Sequence, residues 1–292
     1  MKKLATAIAA IALIGTPAFA ADMAVKAPPP VPAPVYDWTG WYVGGNIGAS
    51  FGRAKTDFNV APVTVNTNTL GSFTSPDFAG SQLTEPSGFI GGGQIGYNWQ
   101  FSPILVAGLE ADFQGADEKD SINFSNAFSG ATVFSSGTGA TGTTVTGTVA
   151  TEYEAKIDWF GTVRGRIGYL FGDGAVMTYL TGGLAYGRVG VDGTSTTSAT
   201  ATRGSTTPPF SMTRTVGHSQ VNTGWTIGSG TEGKLLIPGW TYKIEYLYVD
   251  LGFLNDLDLP PVAISFVTGG QITTHTHFTD NIIRAGLNYQ FH

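Results

Sequence analysis

Eleven charged side chains dominate the chemistry this chain could carry: Glu110, Asp112, Glu154, Lys156, Asp158, Arg164, Arg166, Glu232, Lys243, Glu245 and Arg284. Most stand two residues from another of the set. In an extended chain, successive side chains point to opposite faces, so residues two apart share one. Six of these charges are acidic and five basic. Gathered on one side of a sheet they would nearly neutralise each other, and pairing offsets the cost of removing each from water. Along an open bore the same charges would instead line a narrow ion path. Two other patterns are weaker. Gly91-Gly92-Gly93-Gln94-Ile95-Gly96 matches G-x-G-x-x-G, but a nucleotide loop needs a strand before it and a helix after it, and here Pro103 follows instead of a helix. His275-Thr276-His277 is an H-x-H pair with only Asp280 nearby as a third ligand, a weak metal signal.

The elements that must hold these charges are short segments with an apolar residue at every second position. The last, Ile283 to Phe291, puts Ile283, Ala285, Leu287, Tyr289 and Phe291 on one face and Arg284, Gly286, Asn288 and Gln290 on the other. Seven more read the same way. Trp41, Val43, Ile47 and Phe51 oppose Tyr42, Gly44, Asn46 and Ser50. Phe89, Ile95, Tyr97 and Trp99 oppose Gln94, Asn98 and Gln100. Leu105, Leu109 and Phe113 oppose Glu110, Asp112 and Gln114. In the fourth, Tyr153, Ala155, Ile157, Trp159, Val163, Ile167 and Tyr169 oppose Glu154, Lys156, Asp158, Thr162, Arg164 and Arg166. The fifth sets Leu180, Leu184 and Tyr186 against Thr181, Gly183 and Ala185. The sixth sets Val221, Trp225 and Ile227 against Asn222, Thr226 and Glu232, and the seventh sets Trp240, Tyr242, Ile244, Tyr246 and Tyr248 against Thr241, Lys243 and Glu245.

Strands with one oily and one polar face predict an all-β fold: an eight-stranded antiparallel up-and-down transmembrane β-barrel. The connections support it. Short turns at Phe101–Ile104, Phe171–Gly174 and Gly233–Gly239 alternate with four long external loops at roughly 52–87, 116–151, 190–219 and 252–277, and short periplasmic turns with long outer loops are what such barrels have. The apolar faces end in aromatic residues, which prefer bilayer interfaces. An eight-stranded barrel has a bore that side chains fill, so the charged set reads as a braced core, with a narrow ion path as the alternative.

Composition agrees. Charged residues are 12% of the 292, about half the usual ~25%, and 41 glycines take up part of the difference. No cysteine is present, so no disulfide can staple the fold. A net charge of −6 argues against a nucleic-acid partner. Residues 1–20 read as a signal peptide, with a Met1-Lys2-Lys3 start, an apolar run from Leu4 to Ile14 and a cleavage site at Ala18-Phe19-Ala20. Residues 21–37 form a proline-rich periplasmic spacer, and 38–292 the barrel domain.

Val35-Tyr36-Asp37-Trp38-Thr39-Gly40-Trp41-Tyr42-Val43-Gly44-Gly45-Asn46-Ile47-Gly48 resembles the start of the small porin-like outer-membrane proteins of alphaproteobacteria. Trp159 to Tyr169, Tyr179 to Gly187, Gly224 to Gly228, Lys243 to Gly252 and Arg284 to Phe291 carry the resemblance across nearly all of the mature chain. It implies an integral outer-membrane surface protein, inserted by the barrel-assembly machinery, with a role in envelope integrity or surface interaction. The partners expected are outer-membrane lipid and lipopolysaccharide, with a host surface as a further contact; the proline-rich run 26–34 reads first as a linker and second as a peptidoglycan-binding tail. No cofactor, metal or catalytic residue is expected. Asp250, Asp256, Asp258, His218, His275 and His277 are the candidates for a rim enzyme, the least favoured reading. The chain departs from the family in ending on His292 after Phe291, and in the turn Gly233–Gly239.

Overall fold

In the computed structural model the described residues are 36–67, 71–134, 141–203, 205–206, 210–255, 262–264 and 267–291. The signal peptide, nearly all of the proline-rich spacer, Asp256, Asp258 and His292 lie outside them. Eight long strands form the wall: β1 (Gly40–Val60), β2 (Ser87–Ser102), β3 (Leu105–Phe134), β4 (Thr141–Phe171), β5 (Val176–Arg203), β6 (Phe210–Lys234), β7 (Trp240–Asn255) and β8 (Ile272–Gln290). Each pairs antiparallel with the next in sequence. β8 returns to β1, with Tyr42 opposite Gln290 and Val60 opposite Ile272, and this pairing closes the ring. Closure leaves no unpaired edge, which a sheet in lipid requires.

The outer surface is apolar where the alternation predicts. Ile47 is 74% exposed, Phe89 85% and Leu109 68%. Rings mark the two ends of this band. Trp41 packs on Tyr97, Tyr169 on Phe171, and Trp240 on Tyr289 at the periplasmic end. Phe113 packs on Trp159 and Trp225 on Tyr248 at the other. The membrane-spanning segments are therefore about 41–51, 89–99, 105–113, 159–169, 180–186, 221–231, 240–248 and 283–289. Just beyond Phe51 and Phe113 the outward residues become Arg53, Lys55, Asp117 and Lys119.

The periplasmic turns are tight. Between β4 and β5 the chain reverses through Gly172, Asp173 and Gly174 at φ of 59°, 56° and 82°. Glycine suits the first and last of these because left-handed backbone carries no steric penalty there.

On the external side the structure corrects the expected loops. The segments 116–151 and 190–219 are mostly strand: β3 and β4 run 30 and 31 residues, about 100 Å of extended chain, where about 10 residues cross a bilayer. The wall thus continues as sheet beyond the membrane. The Thr- and Ser-rich sequence hid this, because its ladder hydrogen bonds need no apolar alternation. Thr194–Thr215 and Thr196–Thr213 hydroxyl contacts run between β5 and β6. Short strands at Phe78–Thr84, paired to upper β1, and at Val63–Thr67, Gly71–Thr74, Val262–Ile264 and Val267–Gly269 complete this region.

A second correction concerns the phase of β4. One extra residue at Asp158 puts a bulge between Ile157 and Trp159 relative to β5, and a bulge shifts the alternation by one. Below it Phe160, Thr162, Arg164 and Arg166 face inward, as expected. Above it Tyr153, Ala155 and Ile157 face inward instead, and Glu154, Lys156 and Asp158 face outward.

Candidate functional site

The interior of the barrel is filled in three layers. At the periplasmic mouth the chain before β1 crosses beneath the wall. Trp38 is fully buried among Val106, Leu170, Met177 and Tyr179. Its indole Nε1 donates to the Gly174 carbonyl at 2.8 Å, and its backbone N–H donates to Gln100 Oε1 at 3.0 Å. Gln290 Nε2 donates to the carbonyls of Asp37 and Thr39, and Tyr36 Oη donates to Gln290 Oε1 at 2.7 Å. Bonds to the ends of β2 and β8 and to the β4–β5 turn hold the indole across the opening.

The middle layer is the ionic set. Of the eleven charges, Glu110, Asp112, Arg164, Arg166, Glu232, Lys243, Glu245 and Arg284 are buried here, each at most 5% exposed. Glu154, Lys156 and Asp158 do not join them. Lys156 instead pairs with Asp192 at 2.5 Å and Asp158 with Arg188 at 3.4 Å on the outer surface. Six acids and five bases thereby become four and four, and the core is neutral.

Arg164 on β4 is at the centre. Its Nη2 contacts Glu110 Oε1 and, at 3.0 Å, Asp112 Oδ2; its Nη1 lies 3.0 Å from Glu245 Oε1, and its Nε donates to Thr162 Oγ1 at 2.9 Å. Arg284 reaches Glu245 at 2.6 Å and Asp112 at 2.8 Å. Lys243 binds Glu110 at 2.9 Å. Arg166 pairs with Glu232 at 3.1 Å and lies over the rings of Tyr42 and Tyr179 at 4.5 and 5.3 Å. Those phenols donate to Glu110 at 2.6 Å and to Glu245 at 2.8 Å. Asn288, Gln94 and Asn46 extend the chain of bonds from Glu232 back to β1. One network therefore ties β1, β2, β3, β4, β5, β6, β7 and β8 to each other across the bore.

Sequence reasoning turned Tyr42 inward but did not assign its role. A Cβ on Gly96 would stand 2.2 Å from Tyr42 Oη, so the ring lies flat over a glycine of the next strand and its hydroxyl reaches Glu110.

The upper layer is apolar: Ile90, Ala155, Ile157, Phe160, Val189, Val191, Leu247, Val249, Leu251, Phe278 and Ile282 fill the bore above the ions. Two further buried acids stand there, Glu118 and Asp280. Both follow from the alternation if it is carried past the girdle, two steps beyond Gln114 on β3 and two beyond Arg284 on β8.

The remaining candidates do not converge. His275 and His277 face outward on β8 while Asp280 faces inward, so the three cannot share a ligand. His277 lies 3.0 Å from Asp250 and stacks on Phe253. His218 is exposed on β6, and Gly91–Gly96 lies within β2.

Residues 6–291 match the family described as outer membrane protein beta-barrel domain. The chain belongs to that family. Its members in alphaproteobacteria include near relatives of this outer membrane β-barrel domain protein. The 31 kDa outer-membrane immunogenic protein of Brucella melitensis is 35% identical over 286 residues, covering 96% of each chain. The 25 kDa outer-membrane immunogenic protein of Brucella canis is 27% identical over 100% of this chain and 99% of its own. The 22 kDa outer membrane protein of Rhizobium leguminosarum is 28% identical over 88% and 80%. The protein resides in the outer membrane, and its exposed apolar band is the surface that meets lipid.

Proposed function

We propose that this outer-membrane barrel is sealed and non-catalytic, and serves as a structural and surface-interaction protein of the cell envelope. The observation that carries the reading is the filled bore: an indole below, a neutral eight-charge network in the middle and a largely apolar layer above. A narrow porin, the alternative, needs a continuous wet path, and the apolar layer interrupts one even if the charges below it were hydrated. Long external strands supply surface for contact with lipopolysaccharide or a host, which fits relatives described as immunogenic. The proline-rich segment is the part suited to contact peptidoglycan, and the barrel-assembly machinery is the partner for insertion.

Refolded protein in a planar bilayer should give no conductance steps under conditions where a known porin does. Steady steps would overturn the sealed reading. On intact cells, antibodies raised to the external parts of β4 and β5 should bind without permeabilisation; labelling only after permeabilisation would rule out a surface role.

A further inference from the structure

Just above the outer aromatic girdle, two carboxyls approach each other inside the wall, and among the described residues no cation faces them. Glu118 on β3 and Asp280 on β8 are each 1% exposed. They stand beyond the membrane-spanning segments, at the level where the outward neighbours are Arg53, Asp117 and Lys119. Ser50 on β1 lies against both carboxyls. Its hydroxyl donates to Asp280 Oδ1 at 2.5 Å, and Asp280 also accepts the backbone N–H groups of Phe51 and Asn281. Neither oxygen of Glu118 has a hydrogen-bond partner among the described residues.

The groups packed around the pair are neutral. β1 contributes Ser50, Gly52 and Ala54, the Pro86 carbonyl lies beside Gly52, and β2 contributes Gly88 and Ile90. Ile157 of β4 is opposite Glu118, and Val249 of β7 is opposite Asp280. Phe278 and Ile282 flank Asp280 on its own strand, and Gln114 lies below Glu118. The nearest inward cation along β8 is Arg284, whose guanidinium is engaged by Asp112 and Glu245. On the outer face, Arg53 pairs with Glu85, Lys119 with Asp117, and His277 with Asp250.

We propose that Glu118 and Asp280 form a pH-sensitive element in the upper layer of the bore: β3 and β8 pack there against β1 only while at least one of the two carboxyls is protonated. Two ionised carboxylates cannot share an apolar site, because burial and mutual repulsion both disfavour the charged form. Burial first, and then the Asp280 charge, push the Glu118 carboxyl up to about 9. Burial pushes Asp280 up to about 6, against the opposing bond from Ser50. An unfolded glutamate titrates near 4.3. Between that pH and 9 the folded protein keeps a proton that the unfolded chain releases, so stability is complete below about 4.3 and falls as pH rises towards 9. Losing the proton leaves two like charges in the apolar layer and loosens the external wall while the ionic core below stays intact.

The test is the unfolding midpoint of the refolded full chain in detergent, followed by the shift between unheated and heated gel bands, at pH 5 and pH 9.5. Wild type should unfold about 5 °C or more lower at pH 9.5. Glu118→Gln keeps the shape and removes the charge, so its midpoint should keep only the small fall near pH 6 that Asp280 contributes, stay level from there to pH 9.5, and exceed wild type at pH 9.5. If Glu118→Gln does not refold, Asp280→Asn tests the same pair and should shrink the drop. A wild-type midpoint that is level from pH 5 to 9.5, or a variant with the full wild-type drop, overturns the proposal.

Discussion

Arg164→Met should destabilise the barrel by about 3–5 kcal/mol, the range for breaking a buried ion pair by removing one partner. Arg164 touches Glu110, Asp112 and Glu245, so its loss leaves four anions facing three cations where no water-exposed surface can screen the excess. Methionine fills much of the same volume, so the effect reports charge and not a cavity. In detergent the folded band in unheated SDS samples should vanish at a lower temperature, and the urea midpoint should fall. Adding Glu245→Gln to Arg164→Met restores the balance and should recover part of the loss, although Glu245→Gln alone destabilises; that non-additivity is what one coupled network predicts. If the two changes simply add, the eight charges are a set of independent pairs. If Arg164→Met instead leaves stability unchanged and opens a cation- or anion-selective conductance, the charges line a path and the sealed barrel is wrong.

The second large effect tests the solvent of the outer face. Ile47 is 74% exposed midway between Trp41 and Phe51, which places it near the bilayer midplane. Ile47→Arg should cost about 2–4 kcal/mol in folding into vesicles, the penalty for arginine on the lipid face of a barrel at that depth. Arg53→Ile, only six residues along the same face but above the girdle, should change stability little. A protein whose outer face met water would show the reverse order, with the added arginine tolerated. Equal stability of Ile47→Arg and wild type in vesicles would show that this band is not in lipid.

The membrane-crossing part of the fold was legible in the sequence because lipid imposes a two-residue period along the whole of every crossing. Trp41 to Phe51, Phe89 to Trp99 and Ile283 to Phe291 each repeat the signal, and tight turns fix the order. Outside the membrane the signal fades for a physical reason. There the outward face meets water, so polar residues are tolerated on both sides and the alternation no longer says which side is in. At Tyr153-Glu154-Ala155-Lys156-Ile157 the sequence alternates as cleanly as it does below, yet Tyr153, Ala155 and Ile157 point into the bore, because one inserted residue at Asp158 reverses the phase. Glu118 and Asp280 are missing from the inward charges read off the alternation for the related reason that their strands continue past the point where the apolar face stops.

By itself, then, the sequence determined that eight ribbons cross a bilayer, which side of each meets lipid, and that charges of both signs are turned inward. Those are consequences of local alternation, which lipid reads residue by residue. Only the tertiary structure decided that the inward charges number four of each sign and that Trp38 closes the base. It also decided that a largely apolar layer caps the ions, and that Glu118 approaches Asp280. These depend on which residues stand opposite each other across the bore, at separations such as the 172 residues between Arg284 and Asp112. Ring closure and the placement of bulges set those pairings, and neither leaves a periodic trace along the chain.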